Sequence, residues 1–193
     1  MPTTNPAWAP ALWTPTPWPD FPPEPVAPEP ILTYDPWYPA VFQTADWTCS
    51  CASSAWLLNS LGDDQLGRPW DEWSVVEALR AATYFGAVSP NYGLARADMY
   101  DLEVMFWELG YTVERQQHVT REHVLEVAGK YPMQVNGAAW YHHAGVRALG
   151  PGVLYLANPS PSWKSVGQEM DANEAARWGS WNSMIVTGSL EEG

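Results

Sequence analysis

The sequence predicts a single α+β domain in which helices come first and antiparallel strands follow. Three observations predict it. The chain has 193 residues, which is enough for one well-filled core but too few for two full domains. Hydrophobic residues make up 46% of the chain and charged residues only 16%, a composition typical of globular proteins. Helical spacing of apolar residues gives way to strand-like alternation near Tyr111, which is the order of an α+β fold.

Residues 1–37 are predicted to form a separate arm. Residues 2–39 contain thirteen of the nineteen prolines, and proline fixes φ and removes a backbone donor, so this segment should be extended and polyproline-like. Four tryptophans lie within it, and solvated tails are usually poor in aromatic residues. We therefore expect the arm to pack on the domain, covering a cleft, or to bind a partner, and the domain itself to occupy residues 38–193. The tryptophans of the arm are Trp8, Trp13, Trp18 and Trp37.

Three helices are predicted after the arm. The first spans 49–61, opens near Thr48 or Ser50 and stops at Gly62. The second spans 70–85, with Pro69 in its first turn, where a missing N–H costs nothing. The third spans 97–109 and stops at Gly110.

Strands dominate the rest of the chain. Alternating apolar segments bounded by Gly, Pro and Asn predict strands at 111–116, 133–139, 142–149, 153–157 and 182–187. Short helices are predicted at 120–128 and 171–178. We expect the helices to pack against one side of an antiparallel sheet.

The charge of the chain limits its partners. The net charge is −13, which would repel the phosphates of nucleic acids and anionic membranes, so neutral or basic partners are favoured. No apolar run is long enough to span a membrane, and the first basic residue is Arg68, so no secretory signal is visible. We expect a soluble protein, either cytoplasmic or secreted by a non-classical route.

The two cysteines are candidates for a reactive thiol. Cys49 and Cys51 are separated by one residue, a spacing that is poor for a disulfide. Cys49 opens a predicted helix, where the dipole and the unpaired amide groups stabilise a thiolate. The side-chain amide of Gln43, six residues upstream, is available to complete an oxyanion hole with those amides.

A histidine and an asparagine complete the constellation. His142 opens a predicted strand that pairs with the strand at 153–157, which ends in Asn158 and Pro159. An acceptor at that strand end can hold the imidazole in the tautomer that takes a proton from a thiol. The chain thus offers Cys, His and Asn in that order.

These residues resemble those of the papain-like superfamily, most closely its bacterial branch of bacteriocin-leader (double-glycine) peptidases and related effector proteases. The resemblance covers residues 38–188 and lies in Gln43 six residues before Cys49, the small Ala52 three residues after it, and the Asn158-Pro159 step. Within this pattern Thr48-Cys49-Ser50 stands where the branch usually has Asp-Cys-Gly, and Asn158 replaces its commoner Asp.

The resemblance implies a fold and an activity. The fold would be papain-like, with the nucleophile helix packed on a C-terminal antiparallel sheet. The activity would be hydrolysis of peptide or isopeptide bonds in a peptide or protein substrate, through a thiol acyl-enzyme and without a metal or organic cofactor. Cys49 would be the nucleophile, His142 the base, Asn158 its orienter and Gln43 the oxyanion donor.

Several alternatives stay open at the level of sequence. Cys51 could replace Cys49 as the nucleophile, and His143 could replace His142 as the base, because adjacent residues of a strand point to opposite faces. The two cysteines and two histidines could instead bind zinc, although their spacing is unusual for it. The domain could also be a non-catalytic binding module, or an amidase that acts on cell-wall peptides.

Overall fold

The computed structural model describes residues 32–82, 99–128, 130–137, 142–150, 153–161, 168–170 and 181–189. Residues 1–31, which form most of the predicted arm, and the predicted helix at 171–178 lie outside these ranges. Within these ranges, no helix combines the length and the apolar character that a membrane crossing requires.

Three helices occupy the N-terminal half of the described chain, at Cys49–Ser60 (α1), Glu72–Ala82 (α2) and Met99–Glu108 (α3). The end of α1 is formed as predicted, because Gly62 adopts a φ of +73° and Asp63 N–H donates to the carbonyl of Leu58 at 3.0 Å. The start of α2 differs from the prediction. Asp71 precedes the helix and its carboxylate accepts the N–H of Ser74 at 2.7 Å, so Pro69 lies before the first turn and Asp71 is the N-cap.

The C-terminal half forms a six-stranded sheet in which all neighbouring strands are antiparallel. The strands, with one intervening helix, are β1 Tyr111–Val119, α4 Arg121–Ala128, β2 Met133–Gly137, β3 His142–Gly150, β4 Val153–Ala157, β5 Gln168–Met170 and β6 Trp181–Ser189. Their order across the sheet is β1-β6-β2-β3-β4-β5. The last strand of the chain therefore lies inside the sheet, between β1 and β2. β5 was not predicted, because three residues are too few to show alternation.

Helix α1 packs directly on β3. A Cβ atom at Gly145 of β3 would lie 2.0 Å from the ring of Trp56, so the indole of α1 rests on the bare backbone of the strand. The indole N–H of Trp56 donates to the carbonyl of Tyr38 at 3.0 Å. Trp56 is fully buried, and it holds α1 at the close distance that only a glycine in β3 permits.

Helix α4 packs on the opposite face and is the exception to the expected one-sided arrangement. Its Val124 belongs to a buried cluster with Val135, Ala144, Val146 and Leu156. Ala144 and Val146 flank Gly145 on β3, so they point away from α1. The sheet is thus covered on both faces, and α1 to α3 share one of them.

Candidate active site

The pairing of β3 with β4 brings His142 and Asn158 together. Gly145 pairs with Ala157 and Val146 with Leu156, so the first residue of β3 lies near the residue that follows β4. The Nε2 atom of His142 is 2.9 Å from Oδ1 of Asn158. Because this oxygen can only accept, Nε2 carries the proton in this pair, and Nδ1 is the basic nitrogen of the neutral ring.

The segment before α1 is tied to the same place by its backbone. The N–H of Gln43 donates to the carbonyl of Pro159 at 2.9 Å, and Pro159 directly follows Asn158. The carbonyl of Ala45 then accepts the side-chain amide of Gln43 at 2.9 Å and the N–H of Thr48 at 3.2 Å. The first of these bonds places Gln43 beside Pro159, and the others hold residues 43–48, the 43–48 loop, in one conformation. Helix α1 starts at the next residue.

The side-chain amide of Gln43 has donor and acceptor positions that no hydrogen bond within this loop uses. Its amide nitrogen carries two hydrogens, and the hydrogen bond to Ala45 uses one of them. Its Oε1 atom is buried and has no hydrogen-bond partner among the described residues. A buried amide with unused donor and acceptor positions is suited to bind the backbone of a peptide.

The two cysteines of α1 lie in different surroundings. Cys51 is 1% exposed and belongs to the main hydrophobic cluster, and burial raises the pKa of its thiol to about 12. Cys49 is the first residue of α1, adjoining the 43–48 loop. Two residues correspond to a rotation of about 200° around a helix, so the two thiols point in nearly opposite directions.

The two histidines of β3 also separate. His143 is buried and lies on the face of Gly145, with Asn136 of β2 as its cross-strand neighbour. His142 is half-buried and bonds to Asn158. Burial lowers the pKa of His142 below its ordinary value, while the bond to Asn158 acts in the opposite direction. The imidazole of His142 is therefore neutral at pH 7, the form that can accept a proton.

Glu72 contacts the 43–48 loop and was missed by the sequence analysis. It is the first residue of α2 and is 2% exposed. Both carboxylate oxygens lie 2.9 Å from the N–H of Thr44, and Oε1 also makes a short hydrogen bond with the Thr44 hydroxyl. Oε2 lies 2.6 Å from the Thr48 hydroxyl. An acidic residue at a helix start is common, so nothing in the sequence distinguishes Glu72 as a contact of this loop.

The metal-site interpretation has little geometric support. Among the residues that the structure describes, no group of three or more His, Cys, Asp or Glu side chains is placed to hold a metal ion. Cys51 belongs to the main hydrophobic cluster.

Comparison with known proteins identifies the fold. No protein-family model and no curated protein matches the sequence. Solved structures that are similar to the chain include the following three, all at low sequence identity. The first is a double glycine motif protease from an AMS/PCAT transporter, in complex with the leader peptide, with 12% identity and a TM-score of 0.57 over 83% of this chain and 99% of that one.

The other two structures belong to the same class. The peptidase domain of Streptococcus ComA, a bifunctional ABC transporter of a quorum-sensing pathway, has 16% identity and a TM-score of 0.50 over 79% of this chain and 99% of that one. A protein from Bacillus anthracis described as a C39-like peptidase has 12% identity and a TM-score of 0.51 over 81% of this chain and 98% of that one. The chain therefore has the papain-like fold of the double-glycine, or C39-like, peptidase domains.

Proposed function

We propose that the chain is a cysteine peptidase that hydrolyses a peptide bond through an acyl-enzyme on Cys49. The observation that carries this proposal is the 2.9 Å bond between His142 Nε2 and Asn158 Oδ1. It holds a neutral imidazole at the start of β3, and the bond from the Gln43 N–H to the carbonyl of Pro159 ties the segment before Cys49 to the residue after Asn158. The fold shared with double-glycine peptidase domains gives further support.

In the first half of the reaction the proton of the Cys49 thiol moves to Nδ1 of His142. The amide groups at the start of α1 stabilise the thiolate, because the N-terminus of a helix is its positive end. The sulfur attacks the peptide carbonyl carbon and the carbonyl oxygen becomes an oxyanion. Gln43 donates its second amide hydrogen to that oxygen, together with backbone N–H groups of the first turn.

In the second half the imidazolium of His142 protonates the departing amine as the C–N bond breaks. The acyl group remains on Cys49 as a thioester. His142 then takes a proton from water, which attacks the thioester, and the thiol is restored when the acid product leaves. Asn158 accepts the Nε2 hydrogen of His142 throughout and keeps the ring in one orientation.

The test compares single variants on a defined substrate. The substrate is a synthetic peptide with an internal Gly-Gly pair, because one structural neighbour is a double glycine motif protease bound to a leader peptide. We expect Cys49→Ala to abolish cleavage, and His142→Ala to reduce kcat by roughly 10³-fold or more. Asn158→Ala should reduce it less, because the imidazole is retained but no longer oriented.

His143→Ala is the matched control for His142→Ala, because the two residues are adjacent on β3. It should retain most of the activity. Loss of cleavage in His143→Ala with normal activity in His142→Ala would overturn the assignment of the base. Cleavage of isolated cell walls but not of the peptide would instead indicate an amidase.

A second candidate function is favoured by the low accessibility of the thiol. Cys49 is only 3% exposed, and a nucleophile must be reached by its substrate. A papain-like module that binds a partner without cleaving it would keep the fold and lose this requirement. Slow alkylation of Cys49, with the pH dependence of an ordinary thiol near 8.5, would favour this function.

A further inference from the structure

Glu72 connects the two ends of the loop that joins the proposed oxyanion donor to the proposed nucleophile. Thr44 directly follows Gln43 and Thr48 directly precedes Cys49, and both bind the Glu72 carboxylate. The contacts span 28 and 24 positions in the sequence. One buried group from α2 therefore holds both ends of the 43–48 loop.

We propose that Glu72 is a positioning residue of the active site, which fixes the distance between the Gln43 amide and the Cys49 thiol and so shapes the oxyanion hole. This inference rests on the proposed peptidase function, because an oxyanion hole acts only when the thiol attacks a carbonyl group. Glu72 itself touches no reacting atom in this scheme and acts through the loop.

A carboxylate suits this task because it only accepts hydrogen bonds. The Thr44 N–H and the Thr44 hydroxyl donate to it, and the single hydrogen of the Thr48 hydroxyl is shared between Glu72 and the carbonyl of Ala45. Bonds to a charged acceptor are about twice as strong as neutral ones. Glutamine has the same shape, but it keeps only one accepting oxygen and loses the negative charge that strengthens the bonds from Thr44 and Thr48. Glu72→Gln should therefore loosen the loop and leave its packing volume unchanged.

Two reactions of the same thiol separate loop position from thiol reactivity. Iodoacetamide is attacked at its CH₂ carbon, iodide leaves, and no oxyanion forms. The aldehyde acetyl-glycyl-glycinal is attacked at its carbonyl carbon, and the oxygen that receives the electron pair takes a proton from the His142 imidazolium. Only the hemithioacetal formed by the aldehyde uses the oxyanion hole.

The experiment measures both reactions in the full-length protein. The alkylation rate of Cys49 is followed from pH 5 to 9, and the inhibition constant of the aldehyde is obtained from its protection of Cys49. We expect Glu72→Gln and Thr44→Val to weaken aldehyde binding by about tenfold or more. The maximal alkylation rate should change by less than about threefold, because the thiol itself is retained.

The controls are chosen from the same two segments. Glu77→Gln makes the same chemical change on α2 at an exposed residue that pairs with Arg80, and it should alter neither measurement. Thr44→Ser keeps the hydroxyl and should retain aldehyde binding. Thr44→Val is a second route to the same result if Glu72→Gln folds poorly.

Three results would overturn the inference. Unchanged aldehyde binding in both Glu72→Gln and Thr44→Val would show that the loop needs no such restraint. A parallel fall in aldehyde binding, alkylation rate and unfolding temperature would show a merely structural role. If the aldehyde does not protect Cys49 of the wild type from alkylation, the peptidase function is refuted, and the proposed role of Glu72 with it. The measurement on the wild type alone identifies this case.

Discussion

The two thiols of α1 should differ strongly in reactivity. Burial raises the pKa of Cys51 to about 12, so almost none of that thiol is ionised at pH 7. We predict that iodoacetamide at pH 7 modifies Cys49 and leaves Cys51 unmodified in the native protein. Peptide mapping by mass spectrometry measures both sites, and Cys51→Ala should label at the wild-type rate. Comparable modification of both residues in the folded chain would contradict the prediction.

His142 should make the stability of the fold depend on pH. Burial lowers its pKa in the folded state, whereas the unfolded chain has an ordinary value of about 6.5. Below that pH the unfolded state binds the proton more readily, so the free energy of unfolding falls as the pH falls. The contribution cannot exceed about 1.4 kcal/mol per pH unit.

This prediction is checked by urea unfolding at pH 7.5 and pH 5.5. The wild type should lose more stability between the two pH values than His142→Gln, which has no titrating group at this position. All other ionisable groups are common to both proteins, so their effects cancel in the comparison. An equal or smaller loss in the wild type would show that the folded state does not disfavour the protonated form of His142.

At the residue scale, the sequence predicted those residues of the candidate site that are separated by a distinctive number of positions along the chain. The separation of sixteen positions between His142 and Asn158 corresponds to a short antiparallel pair, and the structure joins their side chains. Their catalytic roles stay a prediction. Glu72 could not be found in this way, because its partners Thr44 and Thr48 are reached only through the packing of α2 on the 43–48 loop.

At the scale of elements, the contact between α1 and β3 should tolerate no added atom. A Cβ at Gly145 would lie 2.0 Å from the buried ring of Trp56, and overpacking of a core typically costs 1–3 kcal/mol. We predict that Gly145→Ala lowers the free energy of unfolding by about 3 kcal/mol. Chemical denaturation of the purified variant measures this change.

A double variant gives the control for this contact. Trp56→Leu removes the ring that the new methyl group would strike, although it also loses buried area. Gly145→Ala should therefore cost much less in the Trp56→Leu background than in the wild type, since contacting residues are not additive. Equal costs in the two backgrounds would show that the strain lies elsewhere.

The predictability of each element followed from the length and regularity of its pattern. The span of β4, at Val153–Ala157, agrees with the prediction, because an apolar run bounded by Gly and Asn is unambiguous. The start of α2 was misplaced because Pro69 and Asp71 both suit a helix start, and only the bond from Ser74 decides between them. The position of α4 on the second face depends on tertiary packing, which periodicity does not encode.

At the scale of the whole molecule, the net charge of −13 should make the rate of reaction at Cys49 depend on the charge of the reagent. We predict that anionic iodoacetate labels Cys49 more slowly than neutral iodoacetamide, beyond their intrinsic difference with a free thiol such as glutathione. The excess should shrink between about 10 mM and 1 M salt, as the screening length falls from about 30 Å to about 3 Å. A ratio that does not change with salt would show that the molecular field does not reach the site.

The order of strands has a consequence for how this protein is made. β6 follows the other described strands in the sequence, yet it lies between β1 and β2, so β1 and the part of the sheet from β2 to β5 stay apart until translation has passed Ser189. At 5–20 residues per second, Cys49 is synthesised several seconds before His142, and β6 follows later still. The nascent chain therefore carries Cys49 for some time before the strands that hold His142 and Asn158 are joined to β1.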